Sequence, residues 1–263
     1  MRLPESLRRW AGMDFVWLAA ALLAGAGLYF SGSLSAETAF HLPAPVVDQA
    51  VEGAAPALAG AAAAGAQLPQ EYRTAVFAGG CFWGVQGVFQ HTAGVIQAVS
   101  GYAGGEPQSA SYDKVTTGRT GHAESVQVTF DSALVSYGQL LHVFFSVIHD
   151  PTQLNRQGPD VGSHYRSAIF HADEGQKRVA DQYIAQLEAA KAFRARIVTE
   201  VTPLQGFFRA EDYHQDYATL YPNSGYIIAF DLPKIANLKS MFPALYRAEP
   251  RLVKQGGESL VRR

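Results

Sequence analysis

The stretch Thr74-Ala-Val-Phe-Ala-Gly-Gly-Cys-Phe-Trp-Gly84 decides how this chain is read. Residues 74–78 form a short apolar run of strand length. Gly79 and Gly80 end it, and Cys81 to Gln90 continues with apolar residues at helical spacing. Strand, glycine turn and helix start together place Cys81 at a helix N-terminus. Unpaired amide N–H groups and the helix dipole favour an anion there, and the thiolate is the reactive form of cysteine, so a lowered thiol pKa is expected. The two glycines permit a sharp turn and close backbone approach. A free cysteine is also a common small buried hydrophobe, so the segment by itself fits both a nucleophile and a packing residue.

Working outward, Val95 to Val99 reads as a strand leading into the glycine-rich loop Gly101-Tyr-Ala-Gly-Gly105. Glu124 to Phe130 alternates with period two, the strand signature. Ser136-Tyr-Gly-Gln139 is a capping-box pattern opening a helix through Ile148. Ser167 to Phe170 reads as a strand, Asp173 to Phe193 as a long amphipathic helix and Ile197 to Val201 as a strand. Pro233 suits the first turn of a terminal helix. Strands separated by helices, without a strict βα repeat, predict an α+β two-layer fold with a mixed sheet and flanking helices.

Composition narrows the function. The chain has 263 residues, 48% hydrophobic and 11% aromatic, which predicts a packed core. A formal charge of −2 argues against a nucleic-acid-binding surface. Cys81 is the one cysteine, which excludes an intramolecular disulfide, a multi-cysteine zinc site and a CxxC redox pair.

The N-terminus reads differently from the rest. Arg2, Arg8 and Arg9 precede an uncharged apolar run from Phe15 to Phe30, and no Lys or Arg follows until Arg73. That asymmetry predicts a cytoplasmic N-terminus with the remainder exported to a periplasm-like space. The run is at the short end for a spanning helix, so residues 1–36 fit either a membrane anchor or a cleaved signal peptide. Residues 37–71, rich in Ala and Pro, read as a linker without the apolar volume for a core. Residues 72–246 form the expected catalytic domain, and 247–263 a charged tail.

Two further features bear on chemistry. Alternation puts Glu124 on the same strand face as Val126, Val128 and Phe130. A carboxyl buried there has a raised pKa and stays protonated near neutral pH, ready to donate a proton. Phe82 and Trp83 suit either the wall of an apolar pocket or ordinary helix–sheet packing. His122, His149, His164 and His214 are scattered singly, without zinc-ligand spacing, and read as structural hydrogen-bonders. One of them as the base of a Cys–His hydrolase or acyltransferase is the rival reading.

At these residues the chain resembles the peptide-methionine (S)-S-oxide reductases, the type A methionine sulfoxide reductases, over about Thr74 to Tyr246. The motifs occur in order: Gly80-Cys-Phe-Trp-Gly84, Gly101-Tyr-Ala-Gly-Gly105, Ser111-Tyr-Asp-Lys-Val115, Gly118-Arg-Thr-Gly-His-Ala-Glu124, His149-Asp-Pro151, Arg156-Gln-Gly-Pro-Asp160, Tyr165-Arg-Ser167 and Ala210-Glu-Asp-Tyr-His-Gln215. The resemblance implies that Cys81 attacks the sulfoxide sulfur and that Glu124 protonates the oxygen. It implies that Tyr112 and Tyr165 hydrogen-bond that oxygen, that Phe82 and Trp83 hold the substrate methyl group, and that Asp160 supports the polar side of the pocket. It implies preference for the S epimer, free or in proteins, and no metal, flavin or nucleotide. Many relatives carry further cysteines near the C-terminus that resolve the sulfenic acid. Here that stretch is Tyr221-Pro-Asn-Ser-Gly-Tyr-Ile-Ile228, without one. A one-cysteine mechanism is therefore expected, with a thioredoxin-like protein or a small thiol as reductant. The expected oligomeric state is a monomer. A domain that binds oxidised methionine without turnover is the third reading.

Overall fold

The computed structural model describes residues 39–48 and 72–253. Residues 1–36, most of the linker and the end of the charged tail lie outside the described residues. Among the described residues no helix is long and apolar enough to cross a membrane.

The apolar run at 74–78 becomes β1 (Tyr72–Gly79), which lies inside the sheet rather than at its edge. The other strands are β2 (Val95–Ala103), β3 (Ala123–Asp131), β6 (Ser167–His171), β7 (Glu200–Pro203) and β8 (Phe207–Arg209), in the order β7-β6-β1-β3-β2-β8. Only β6 and β7 pair in parallel, so the sheet is mixed, and the α+β expectation holds. A separate hairpin pairs β4 (Arg156–Gln157) with β5 (Asp160–Val161).

The two faces of the sheet are filled unequally. Phe77, Val126, Val128 and Phe130 meet the helices α1 (Phe82–Gln90), α3 (Tyr137–Val143), α4 (Glu174–Ala189) and α5 (Leu232–Met241) in one large cluster. Phe77 stacks on Phe89 and Phe144 with ring centroids 5.2 and 5.1 Å apart. Burying an aromatic ring of this kind contributes roughly 1.5–3 kcal/mol. The other face holds a small cluster of Val76, Ala78, Ala103, Ala123, Ala168 and Phe170 under Leu204 and Phe207.

Local rules account for several boundaries. Ser136 Oγ accepts from Gln139 N while Gln139 Oε1 accepts from Ser136 N, the reciprocal cap that the sequence predicts for α3. The expected helix through Ile148 stops being α-helical at Val143 and runs on as a π-helical turn, Phe144–Ile148. The long helix ends at Ala189 rather than Phe193, and Lys191 then takes a left-handed φ of 50°. The strand expected at 197–201 pairs only from Glu200. Val198 N donates instead to the Pro151 carbonyl.

Gly101 to Ala103, expected in a loop, belongs to β2. Its glycine serves a close approach: a Cβ on Gly101 would stand 2.5 Å from the Phe208 carbonyl oxygen and 2.4 Å from the Phe207 ring. A bare Cα is what lets β8 dock on this edge. Within the stretch read as linker, Ala39–Asp48 runs against α3 and α4 and hydrogen-bonds to both.

Candidate active site

The site opens where two paired strands part. β1 and β3 pair through Phe77 and Val126, after which β1 continues only with β6, through Gly79 and Ser167. Gly80, at φ 92°, then turns the chain into α1. Its conformation strains any L side chain, and a Cβ would stand 2.7 Å from Gln157. Cys81 takes the N-cap position of α1 and is 8% exposed.

The carboxyl of Glu124 occupies the gap between the parting strands. It is 2% exposed, and its Oε2 accepts from Phe82 N at 3.0 Å, the first amide of α1 after Cys81. Burial pushes the Glu124 pKa up to about 8, with Asp160 and Asp231 adding to the rise and the Phe82 N–H opposing it. The carboxyl is therefore mainly protonated at neutral pH, although it sits at a helix N-terminus. Desolvation outweighs the dipole here.

The same balance corrects the expectation for the thiol. Burial raises the Cys81 pKa well above the ordinary value, and Glu124, Asp231 and Asp160 raise it further. Only the Trp83 amide, donating to the sulfur, pulls the other way. A helix N-terminus lowers a cysteine pKa when water or cations share the site, and here carboxylates and apolar groups surround it. Alkylation of the substrate-free protein by iodoacetamide is accordingly expected to be slow at pH 7 and to accelerate above pH 9. A rate already at its plateau at pH 7 would contradict this.

The remaining residues come from dispersed elements. Tyr112 opens the short helix α2 (Tyr112–Val115), and Tyr165 precedes β6. Burial raises the pKa of both phenols, and both feel Glu124 and Cys81, which places all four groups about one centre. Both tyrosines are neutral donors through the working pH range. Asp160 in β5 accepts from the Tyr226 hydroxyl, and its own pKa is raised by burial against that bond. Phe82 is 1% exposed and packs against Tyr102 and His214, so it is core as much as pocket wall. Trp83 is half-buried and lies flat on Tyr217 at 3.8 Å, with Tyr226 edge-on at 5.9 Å.

Several groups without an assigned role in the sequence reading complete the site. Glu211 accepts from Tyr112 N at 3.0 Å and from Tyr102 Oη at 2.8 Å, fixing the start of α2. His214 Nδ1 accepts from Trp83 Nε1 at 3.2 Å and so fixes the indole. Asp231, fully buried, lies 3.8 Å from Lys234 Nζ and fills the space left by Gly84, where a Cβ would stand 2.1 Å from Asp231 Oδ1. Glu211 and His214 fall in a quoted motif, Ala210 to Gln215. Tyr226 lies within the cysteine-free stretch Tyr221 to Ile228, and Asp231 follows it.

Three of the four histidines considered as a base are held by other groups, while His164 Nδ1 is buried without a hydrogen-bond partner. His214 Nδ1 is engaged by the indole, and His149 is bonded to Phe144 O and to Ser167 Oγ at 2.7 Å. Burial lowers the His149 pKa to about 3. His122 is held by Gly105 N and Glu106 O.

A family model described as peptide methionine sulfoxide reductase matches residues 73–244. The chain belongs to the peptide methionine sulfoxide reductase family. Peptide methionine sulfoxide reductase MsrA 2 of Mesorhizobium japonicum is 60% identical over 180 residues, covering 68% of this chain and 92% of the relative. The Synechocystis protein of the same name is 49% identical over 175 residues, covering 66% and 82%. Methionine sulfoxide reductase A of Corynebacterium diphtheriae superposes with a TM-score of 0.51 at 32% identity, covering 72% of this chain and 86% of that one. Within this reductase family, the site above is a neutral acid beside a lone thiol, walled by Trp83, Tyr217 and Tyr226.

Proposed function

We infer that the protein reduces the S epimer of methionine sulfoxide, free or in proteins, with Cys81 as nucleophile and Glu124 as acid. The observation that carries this is the protonated Glu124 carboxyl, held to the first amide of the helix that begins at Cys81. A sulfoxide oxygen is a poor leaving group until it is protonated. Glu124 supplies that proton, and Tyr112 and Tyr165 donate hydrogen bonds to the oxygen as charge develops on it. Phe82 and Trp83 hold the methyl group, and Asp160, set by Tyr226, faces the polar side.

The sulfur of Cys81 attacks the sulfoxide sulfur, and its thiol proton passes to the carboxylate left when Glu124 protonates the oxygen. Oxygen passes to Cys81, methionine leaves, and the enzyme holds a sulfenic acid. With one cysteine in the chain, the next thiol is external. One donor thiol displaces water to give a mixed disulfide, and a second releases Cys81 and a donor disulfide. One sulfoxide is reduced, two thiols are oxidised, and one water forms. A thioredoxin-like protein or a small thiol fits this requirement. The arginines before the apolar run support an exported enzyme, membrane-anchored or secreted, and we take it to act as a monomer.

The test is epimer-resolved reduction of methionine sulfoxide with excess dithiol, alongside a thiol-free arm containing dimedone. The expected result is many turnovers of the S epimer and, without thiol, one dimedone adduct on Cys81 per methionine formed. An adduct without turnover under any thiol would leave a binder, and consumption of an ester with acylation of Cys81 would leave a hydrolase.

A further inference from the structure

Outside the candidate active site, the surface formed by α3 and α4 is covered by a segment of the chain itself. Ala39–Asp48 lies along α3 and α4, outside the region matched by the family model. Three successive carbonyls of this segment are each bonded. Leu42 O lies 2.9 Å from His142 Nε2, Pro43 O accepts from Tyr183 Oη at 2.8 Å, and Ala44 O accepts from Gln186 Nε2 at 2.9 Å. Val46 N donates to Gln186 Oε1 at 2.9 Å, so one amide side chain grips the segment on both sides. At one end Phe40 N donates to Ser146 O at 2.8 Å, and the Phe40 ring meets Phe193 edge-on at 4.7 Å. At the other end Asp48 accepts from Ser136 Oγ and, at 2.7 Å, from Gly138 N. That carboxylate therefore joins the cap of α3.

The surface has the marks of one shaped for this occupant. A Cβ on Gly138 would stand 2.6 Å from the Asp48 carboxylate, so glycine is what leaves room for it. Tyr183 is 1% exposed, and its hydroxyl is bonded to the segment. Pro43 and Pro45 have no N–H to leave unpaired, and they favour the extended backbone before docking, which lowers the ordering cost. Side chains that bond consecutive carbonyls of an extended proline-bearing segment resemble the general mode of polyproline recognition.

We propose that the α3–α4 face is a peptide-binding groove and that residues 39–48 are its built-in ligand. It takes an extended segment with an aromatic residue first, proline in the middle and an aspartate last. The functional unit then begins at residue 39, not at residue 72. Residues 49–71 connect ligand to domain in sequence. Because ligand and domain share one chain, docking is intramolecular, and against an effective concentration on the order of a millimolar an intrinsic Kd of about 0.1 mM suffices to keep the groove filled.

The experiment uses the full chain. In the unaltered protein, hydrogen exchange at the Phe40 and Val46 amides is expected to be at least about tenfold slower than in free peptide. In the Phe40→Ala, Asp48→Ala double variant that protection is expected to vanish, and a labelled peptide of residues 39–48 is expected to bind saturably below a few millimolar. Adding Gly138→Ala is expected to abolish the uptake, since the new methyl takes the place of the incoming carboxylate. Gly138→Ala improves intrinsic helix propensity, so this loss would not come from a weakened α3. Free exchange at residues 39–48 in the unaltered protein would overturn the proposal. So would protection that survives in the double variant, absence of peptide binding, or binding indifferent to Gly138→Ala.

Discussion

Cys81→Ser is expected to lower reduction of S-methionine sulfoxide at least about a thousandfold, to a level set by trace thiol contaminants. The oxygen of serine replaces the sulfur with little change in volume at a position 8% exposed, so the fold is retained. What is lost is a nucleophile able to accept the oxygen. No other thiol exists in the chain to take over. The check is the epimer-resolved assay together with a melting curve. A variant with unchanged melting but more than a tenth of the activity would refute the assignment.

Glu124→Gln is expected to cost about 10²- to 10⁴-fold in turnover, the range typical of a lost general acid. The amide oxygen of glutamine can still accept from Phe82 N, so the start of α1 stays in place. Its NH₂ can bond the sulfoxide oxygen but cannot transfer a proton to it. Because the acid is needed in its protonated form, activity depending on it is present below about pH 8 and declines above, following the Glu124 pKa. In the glutamine variant that descending limb disappears. Stability moves with the same proton. Between the ordinary 4.5 and about 8 the native protein binds the Glu124 proton more tightly than the unfolded chain does. Its stability therefore falls as pH rises through that window, and the variant's does not. The melting temperature of Glu124→Gln should gain on the parent from pH 4.5 to pH 8. A constant difference would mean that Glu124 is not buried as a neutral acid.

The parts of the fold that were legible in the sequence carry their own punctuation. Gly79-Gly80 marks the end of β1, alternation marks β3, and Ser136 with Gln139 marks the start of α3. The parts that were not legible depend on partners distant in the chain. Phe207–Arg209 is a strand only because Gly101 leaves room for it on β2. Likewise Gly101 to Ala103 looked like loop because glycine serves a close approach as well as a turn. The candidate catalytic residues are legible in motifs, but the electrostatics at Cys81 are not readable locally. Burial reverses what the helix start alone suggests, and Glu124, Asp231 and Asp160, arriving from far along the chain, add to it. The docking of residues 39–48 is not legible in the sequence for a related reason. The segment is held largely through backbone carbonyls and amides, which leave no trace in composition.

The placement of β1 within the sheet has a consequence for biosynthesis. Among the described residues it is the first strand made, yet its neighbours are β3 on one side and β6 on the other. Until Ser167 to His171 emerge, the growing chain carries an apolar strand with one open edge, the kind of surface that invites wrong pairing. Tyr226, which sets Asp160, comes later still. The enzyme thus stays inert through most of its synthesis and depends on whatever shields that edge while it waits.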